Sequence, residues 1–210
     1  MTDPRLLLLP LLAAFGGWAS ITVESVPDHI VAGQPVTLTY MVRQHGVEPL
    51  SGLTGRVEAR SGDQAATVTA TAAGRAGRYT ATLNLPRPGD WTITVNSGFG
   101  NSRVTLLPIT VIAAGAAAPV LSDADRGQRL FVAKGCLTCH VHRDAPAEGY
   151  SSKYGPDLSE RHFPADYLAQ FLADPAKVLK ARGSTKEMPN LELRPAEITA
   201  LVAFVNKTAL

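Results

Sequence analysis

The sequence has little of the features that identify several common classes of protein. Its 210 residues include 20 Lys and Arg against 18 Asp and Glu, a formal net charge of only +2. Without a marked basic excess, a surface for nucleic acid or for anionic membranes is not expected. Only two cysteines are present, so no second pair exists to complete a four-cysteine zinc site. The 45% apolar content is ordinary, and this length predicts one or two domains with a buried core.

The two cysteines stand together in Cys136-Leu137-Thr138-Cys139-His140. Two thiols at this spacing lie on the same side of a helical turn, so each can add to one vinyl group of a haem while the adjacent imidazole reaches the iron. We therefore predict one haem c, covalently attached through Cys136 and Cys139, with His140 as an iron ligand. A redox dithiol is the alternative, but such a pair usually begins a helix in a thioredoxin-like unit, and no pattern of that kind follows.

The N-terminus has the pattern of an export signal, which we assign to residues 1–19. Arg5 supplies the positive charge, residues 6–15 form the apolar region, and Gly17-Trp18-Ala19 is a small-x-small cleavage site. No cysteine follows that site, so a lipid anchor is not expected there. Residues 6–23 just reach the length of a membrane span, so an uncleaved anchor is the alternative. In both cases we expect the rest of the chain outside the cytoplasm, in the periplasm of a bacterium.

Residues 20–112 have the pattern of an all-β domain. Apolar and polar residues alternate along 36–43, 79–85 and 91–95, as expected of half-buried strands. Residues 86–90, Pro-Arg-Pro-Gly-Asp, form a turn between the last two of these strands. Short strands separated by such turns predict a β-sandwich. Shorter candidate strands are 21–23, 57–60, 67–71 and 104–111.

Two stretches of this segment, Gly77-Arg78-Tyr79-Thr80-Ala81 and Gly89-Asp90-Trp91-Thr92, resemble the immunoglobulin-like sandwiches of the YtkA-like family. Domains of that family occur beside extracytoplasmic redox and copper proteins, which implies a docking or assembly role here. His29, Met41 and His45 are residue types that can hold copper, so a copper-handling role stays open. The segment has no His-x-His and no methionine-rich run to support that role.

Residues 113–121 are a linker rich in alanine, too short to separate two domains widely. From residue 122 the pattern becomes helical. Ser122 begins the first predicted helix, Pro164 begins the second, and Pro195 begins the last. Asp174-Pro175 is expected to interrupt the second helix. Three helices bury little apolar surface by themselves, so we expect the haem to form part of their core.

Several features of residues 122–210 match one known family. They are the motif at 136–140, Gly127 and Phe131 in the first helix, Phe204 in the last helix, Gly155-Pro156-Asp157-Leu158, and Met188-Pro189. With these features the whole segment closely resembles class I cytochrome c. The resemblance implies an all-α domain in which the first and last helices cross. It also places the Pro156 carbonyl against the free ring nitrogen of His140, Leu158 beside the haem, and Met188 on the iron.

The chemistry of haem iron supports Met188 independently of the resemblance. A thioether ligand stabilises ferrous iron and raises the reduction potential, as suits electron transfer. Met188 is the only methionine of residues 122–210, and it lies 48 residues after His140, enough chain to wrap one face of the ring. His142 and His162 are the alternative ligands. The first follows His140 too closely to reach the opposite face easily, and the second is expected at the surface.

Iron with ligands on both faces has no position for a substrate, but an exposed haem edge can still pass one electron. We therefore expect an extracytoplasmic monohaem c-type cytochrome that is not an enzyme, acting as a carrier or as a subunit of a membrane redox complex. The expected partners are redox proteins or a membrane-bound electron-transfer complex, with the sandwich used for docking and any membrane contact made through an uncleaved N-terminus. Two alternatives stay open: a haem enzyme or gas sensor with a displaceable sixth ligand, and a redox-complex assembly or copper-handling protein.

Overall fold

The computed structural model describes residues 17–146, 154–185 and 187–207, so residues 1–16 of the expected signal peptide lie outside the described residues. An all-β region with two sheets is followed by a helical region, which confirms the predicted fold class. Within the described ranges, no helix is long and apolar enough to cross a membrane.

The β region has eleven strands within the described residues. They are β1 Ala19–Val23, β2 His29–Val31, β3 Pro35–Gln44, β4 Glu48–Pro49, β5 Arg56–Ser61, β6 Gln64–Thr69, β7 Thr71–Ala72, β8 Arg78–Asn84, β9 Gly89–Asn96, β10 Arg103–Thr105 and β11 Ile109–Ile112. One sheet has the order β1-β3-β8-β7, with β4 beside β3, and the other has the order β2-β11-β9-β5-β6, with β10 beside β9. β1 begins at Ala19, the last residue assigned to the leader, which pairs with Gln44.

The two sheets form a sandwich around one apolar core. Side chains alternate along β9, where Trp91, Ile93 and Val95 are buried and the residues between them are half-buried. From the other sheet, β3 contributes Leu38 and Tyr40 to the same buried cluster. The period-two pattern of the sequence therefore identifies the core face of both strands.

The single strand expected at 104–111 is wrong, because the structure divides it into β10 and β11. Thr105 pairs with Thr94, whereas Ile109 pairs with Trp91, so one extra residue is inserted opposite β9. Pro108 lies in this insertion and has no N–H to donate to a ladder, which fits a β-bulge.

The helical region has four α-helices within the described residues. They are α1 Asp123–Ala133, α2 Ala165–Ala173, α3 Pro175–Ala181 and α4 Pro195–Val205, with a short 3-10 helix at Cys136–Thr138. The sequence predicts that Asp174-Pro175 interrupts the second helix, and the structure confirms this, because the φ of Asp174, −149°, is not helical and separates α2 from α3. The Asp174 side chain accepts a hydrogen bond of 3.1 Å from the Lys177 N–H, and Pro175 occupies the first position of α3.

Helices α1 and α4 cross in close contact. Gly127 is necessary at the crossing, because a Cβ there would collide with the carbonyl oxygen of Ala200 and with the Cβ of Phe204. One turn further along α1, the rings of Phe131 and Phe204 pack with their centroids 5.4 Å apart. The small and aromatic residues singled out in the sequence therefore meet at this crossing.

The end of α1 packs against the sandwich. Ala133 is fully buried in the apolar core of the sandwich. The Lys134 Nζ donates a 2.7 Å hydrogen bond to the carbonyl oxygen of Glu24 and lies 2.9 Å from the carboxylate of Glu197 on α4. The Thr22 hydroxyl in turn donates to the carbonyl oxygen of Lys134 at 3.4 Å. Lys134 therefore joins β1, α1 and α4.

Candidate haem-binding site

The cysteine motif directly follows the end of α1. Lys134 caps the helix, donating its backbone N–H to the carbonyl oxygen of Leu130, and Gly135 turns the chain with a φ of +76°. A Cβ at Gly135 would lie 2.5 Å from the carbonyl oxygen of Ile21 on β1. Both the backbone conformation and the approach of the sandwich therefore require glycine immediately before Cys136.

The motif itself is one tight turn. The backbone N–H groups of Cys139 and His140 both donate to the carbonyl oxygen of Cys136, at 3.1 and 2.8 Å. Burial raises the pKa of the Cys136 thiol to about 12. A reactive redox dithiol needs a lowered thiol pKa, so this environment disfavours the dithiol alternative.

His140 is held by the segment that follows the motif. Its Nδ1 lies 2.9 Å from the carbonyl oxygen of Pro156, which can only accept a hydrogen bond, so Nδ1 carries the proton and Nε2 keeps its lone pair for a metal. Gly155 donates its N–H to the Cys139 carbonyl at 2.9 Å, and Leu158 donates to the Val141 carbonyl at 2.8 Å. The two segments therefore run side by side.

The close approach of the two segments depends on Gly155. A Cβ at this position would collide with three atoms of the His140 ring. Burial lowers the pKa of His140, and the hydrogen bond to Pro156 offsets only part of that effect. The imidazole is therefore neutral at neutral pH, the form that binds a metal ion.

Met188 lies in the loop between α3 and α4 and is half-buried. It packs against the apolar cluster of the helical domain, to which Cys136, Leu137 and Leu158 also contribute. The structure therefore places the expected thioether ligand, the first thioether-forming cysteine and the expected haem-lining leucine around one cluster. That donor set, with a neutral and oriented His140, fits a haem c.

The two alternative histidine ligands have other positions. His142 is 3% exposed, and its ring lies 4.3 Å from the ring centroid of Phe204, so it belongs to the packing of the α1–α4 crossing. Its Nδ1 accepts a 3.2 Å hydrogen bond from the Asp144 N–H. His162 is exposed in the segment before α2.

The candidate copper ligands lie on separate parts of the sandwich. His29 is on β2 and pairs with Thr110, Met41 is buried on β3, and His45 is in the turn after β3 against the ring of Trp18. Among the described residues, no group of three or more His, Cys, Asp and Glu side chains could hold a metal ion.

Contacts of the sandwich with the Met188 loop are the part of the site that sequence reasoning missed. Arg75, in the turn between β7 and β8, forms an ion pair of 2.7 Å with Glu192. A cavity of about 680 Å³ separates the sandwich from Met188. Its lining includes Arg43, Gly46 and Val47 of the sandwich and Met188, Pro189 and Asn190 of the loop. No local pattern could find these contacts, because Arg75 and Glu192 are 117 residues apart.

Comparison with known proteins agrees with the geometry of the helical domain. The family model described as cytochrome c matches residues 124–209. No curated protein matches the chain.

Three of the solved structures that resemble this chain each match less than half of it. The Lin-41 filamin domain is 17% identical with a TM-score of 0.34, and the match covers 45% of this chain and 90% of that one. The S-layer protein SbsC is 27% identical with a TM-score of 0.36, covering 49% of this chain and 14% of that one. A superoxide reductase from Ignicoccus hospitalis is 14% identical with a TM-score of 0.31, and the match covers 44% of this chain and 80% of that one. Scores this low assign neither fold nor function.

Proposed function

We propose that this protein, whose residues 124–209 are a cytochrome c domain, is an extracytoplasmic carrier of single electrons or a subunit of a membrane redox complex. The family implies a covalently bound haem c, and the donor set fits it. When bound, the haem supplies a reversible one-electron iron couple. The proposal takes the protein as a non-enzymatic redox component.

Four side chains would hold the haem. Cys136 and Cys139 would form the thioether bonds, and His140 would bind the iron through Nε2. Met188 would supply the thioether sulfur at the sixth position, which favours the ferrous state. Pro156 keeps the His140 ring oriented through the 2.9 Å hydrogen bond at Nδ1.

The observation that carries the proposal is the fixed, neutral His140 in the turn that holds both cysteines. An imidazole and a thioether both bound to the iron would leave no open position for substrate. Electron transfer needs only an accessible haem edge. A carrier or a fixed redox subunit is therefore favoured over a haem enzyme.

We also propose that the sandwich helps to dock a redox partner, either another protein or a membrane-bound electron-transfer complex. Supporting this, Val47 of the sandwich and Tyr154 beside the His140 segment are exposed by 51% and 71%. Val47→Asp should slow electron exchange with native membranes more than Val120→Asp on the linker, and equal rates would exclude this docking face.

A redox titration of the full-length protein tests the function. We expect one haem that resists acid–acetone extraction and a reversible couple that transfers one electron. An extractable haem, or a couple that does not reverse, would rule out the proposed carrier.

A further inference from the structure

We infer that Arg75 of the sandwich is a positioning residue for the loop that carries Met188. The sandwich would then control how firmly the sixth ligand is held, in addition to docking a partner. This inference rests on the proposed function, because it requires Met188 to be an iron ligand.

The contact between Arg75 and the loop has a specific geometry. Its Nη1 lies 2.8 Å from one carboxylate oxygen of Glu192, and its Nη2 lies 2.7 Å from the other. Such a two-point contact between a planar guanidinium and a carboxylate fixes orientation as well as distance. The hydrogen bond from Arg75 also lowers the pKa of Glu192, which keeps the carboxylate charged.

Glu192 transmits this constraint to Met188 through a short turn. The Asn190 side chain accepts a 2.8 Å hydrogen bond from the Glu192 N–H. Glu192 has a φ of +54°, a left-handed conformation that a residue other than glycine keeps only when its surroundings hold it. Leu193 then packs into the same apolar cluster as Met188. The position of Glu192 therefore limits the path of the loop between Met188 and α4.

The sandwich and the loop also line one cavity of about 680 Å³, which Arg43 and Val47 share with the Met188–Asn190 segment. The Arg75–Glu192 ion pair is therefore one of the contacts through which the sandwich approaches this loop.

The backbone of Arg75 is hydrogen-bonded within the sandwich. The carbonyl oxygen of Arg75 accepts a 3.2 Å hydrogen bond from the Arg78 N–H, which closes the turn between β7 and β8. The Arg78 guanidinium binds both carboxylate oxygens of Glu24, at 2.7 and 2.9 Å. The backbone of Glu24 accepts the hydrogen bond of the buried Lys134. The backbone of Arg75 is therefore connected through Arg78 and Glu24 to Lys134, near the cysteine motif.

Loss of the Arg75–Glu192 pair should let Met188 leave the iron more often. An external ligand binds the ferric iron only when the sixth position is open, so its apparent affinity is proportional to the open fraction. Both side chains are about half exposed, at 50% and 58%, and an ion pair of this kind changes an equilibrium by roughly two- to fivefold. The expected increase in imidazole affinity has that size.

The test uses the full-length haem protein and imidazole as the external ligand. We expect Arg75→Ala and Glu192→Gln each to raise the imidazole affinity of the ferric protein by roughly two- to fivefold. The double variant should show no further rise, because the two residues act as one pair. Arg75→Lys should restore part of the wild-type affinity. Arg60→Ala removes the same charge from an exposed position on β5 and should leave the affinity unchanged.

Three results would overturn the inference. If Arg75→Ala binds imidazole no more tightly than Arg60→Ala does, Arg75 has no positioning role. If the effects of Arg75→Ala and Glu192→Gln on imidazole affinity add in the double variant, the two residues do not act as one pair. The weak near-infrared band from sulfur to ferric iron separates this failure from failure of the proposed ligation. If wild type lacks that band, or keeps it after Met188→Ala, the proposed ligand is wrong and the inference falls with it.

Discussion

Gly155 and Pro156 contribute to the site in different ways. Pro156 provides the carbonyl oxygen that fixes the protonated nitrogen of His140, whereas Gly155 provides the space that lets this carbonyl approach. Outer partners of this kind typically change metal affinity by roughly 10- to 100-fold. The glycine is therefore as important to the ligand as the residue that bonds to it.

Among single residues of the site, we predict that Gly155→Ala weakens the proposed His140–iron bond. The added methyl group collides with the imidazole, so the ring must turn away from the Pro156 carbonyl. The optical spectrum of the ferric protein should show an increased high-spin fraction. Gly183→Ala is a suitable control, because its φ of +66° strains the backbone in open space, away from His140. A wild-type spectrum for Gly155→Ala would contradict the proposed role.

The residues of the motif could be identified from sequence, but their surroundings could only partly be inferred. Cysteine spacing and the following histidine predict haem attachment, and these roles stay predictions. The sequence does not reveal that His142 packs against Phe204, because burial of a histidine depends on which helices cross above it. The raised pKa of the Cys136 thiol is likewise a consequence of packing.

Among the elements, α1 packs against two different parts of the molecule at its C-terminal end. Its last residues meet both the sandwich and α4, and Lys134 and Glu197 form an ion pair whose side chains are only 2% and 6% exposed. Burying two charges is costly, but removing one partner of such a pair typically costs about 3–5 kcal/mol, because the other charge stays buried. Glu197 also bonds Arg194, so the lower end of this range applies here.

We therefore predict that Lys134→Met lowers the free energy of unfolding by about 3 kcal/mol at neutral pH. Denaturant unfolding of the haem-loaded protein measures this change. Lys177→Met, an exposed substitution on α3, should stay within about 0.5 kcal/mol of wild type. Similar stabilities for the two variants would show that the buried pair contributes little to the stability of the fold.

Lys134→Met should also change how the free energy of unfolding depends on pH. Burial raises the pKa of Glu197, but hydrogen bonds from Arg194 and Lys134 outweigh it, and the pKa lies below its usual value of 4.5. A lowered carboxyl pKa contributes stability above pH 4.5 that is lost as the pH falls through the lower folded value. The stability difference between wild type and Lys134→Met should therefore narrow below pH 4.5. A constant difference would contradict this electrostatic role.

Element boundaries follow the sequence where a local signal sets them. Ser122 caps α1 by accepting a 3.1 Å hydrogen bond from the Asp125 N–H, as its spacing predicts. The division between β10 and β11 has a different origin, since it depends on the register of both strands against β9. Period-two alternation alone does not predict such a bulge, although Pro108 indicates where the strand is interrupted.

For the whole molecule, the important feature is that the sandwich contacts the helical domain at both ends of the candidate site. One contact lies at Lys134, just before Cys136, and the other at Glu192, just after the Met188 loop. The sequence predicts two domains and a short linker, but it cannot predict these contacts between residues more than 100 positions apart. They make the sandwich part of the environment of the proposed haem.

The proposal of electron transfer without substrate chemistry depends on both axial positions of the iron being filled, and carbon monoxide binding tests this most directly. We predict that the reduced full-length protein keeps its optical spectrum under carbon monoxide, because His140 and Met188 as the proposed ligands would fill both positions. Met188→Ala should form a carbon monoxide complex. Stoichiometric binding by the wild-type protein would contradict closed coordination and favour a haem enzyme or a gas sensor.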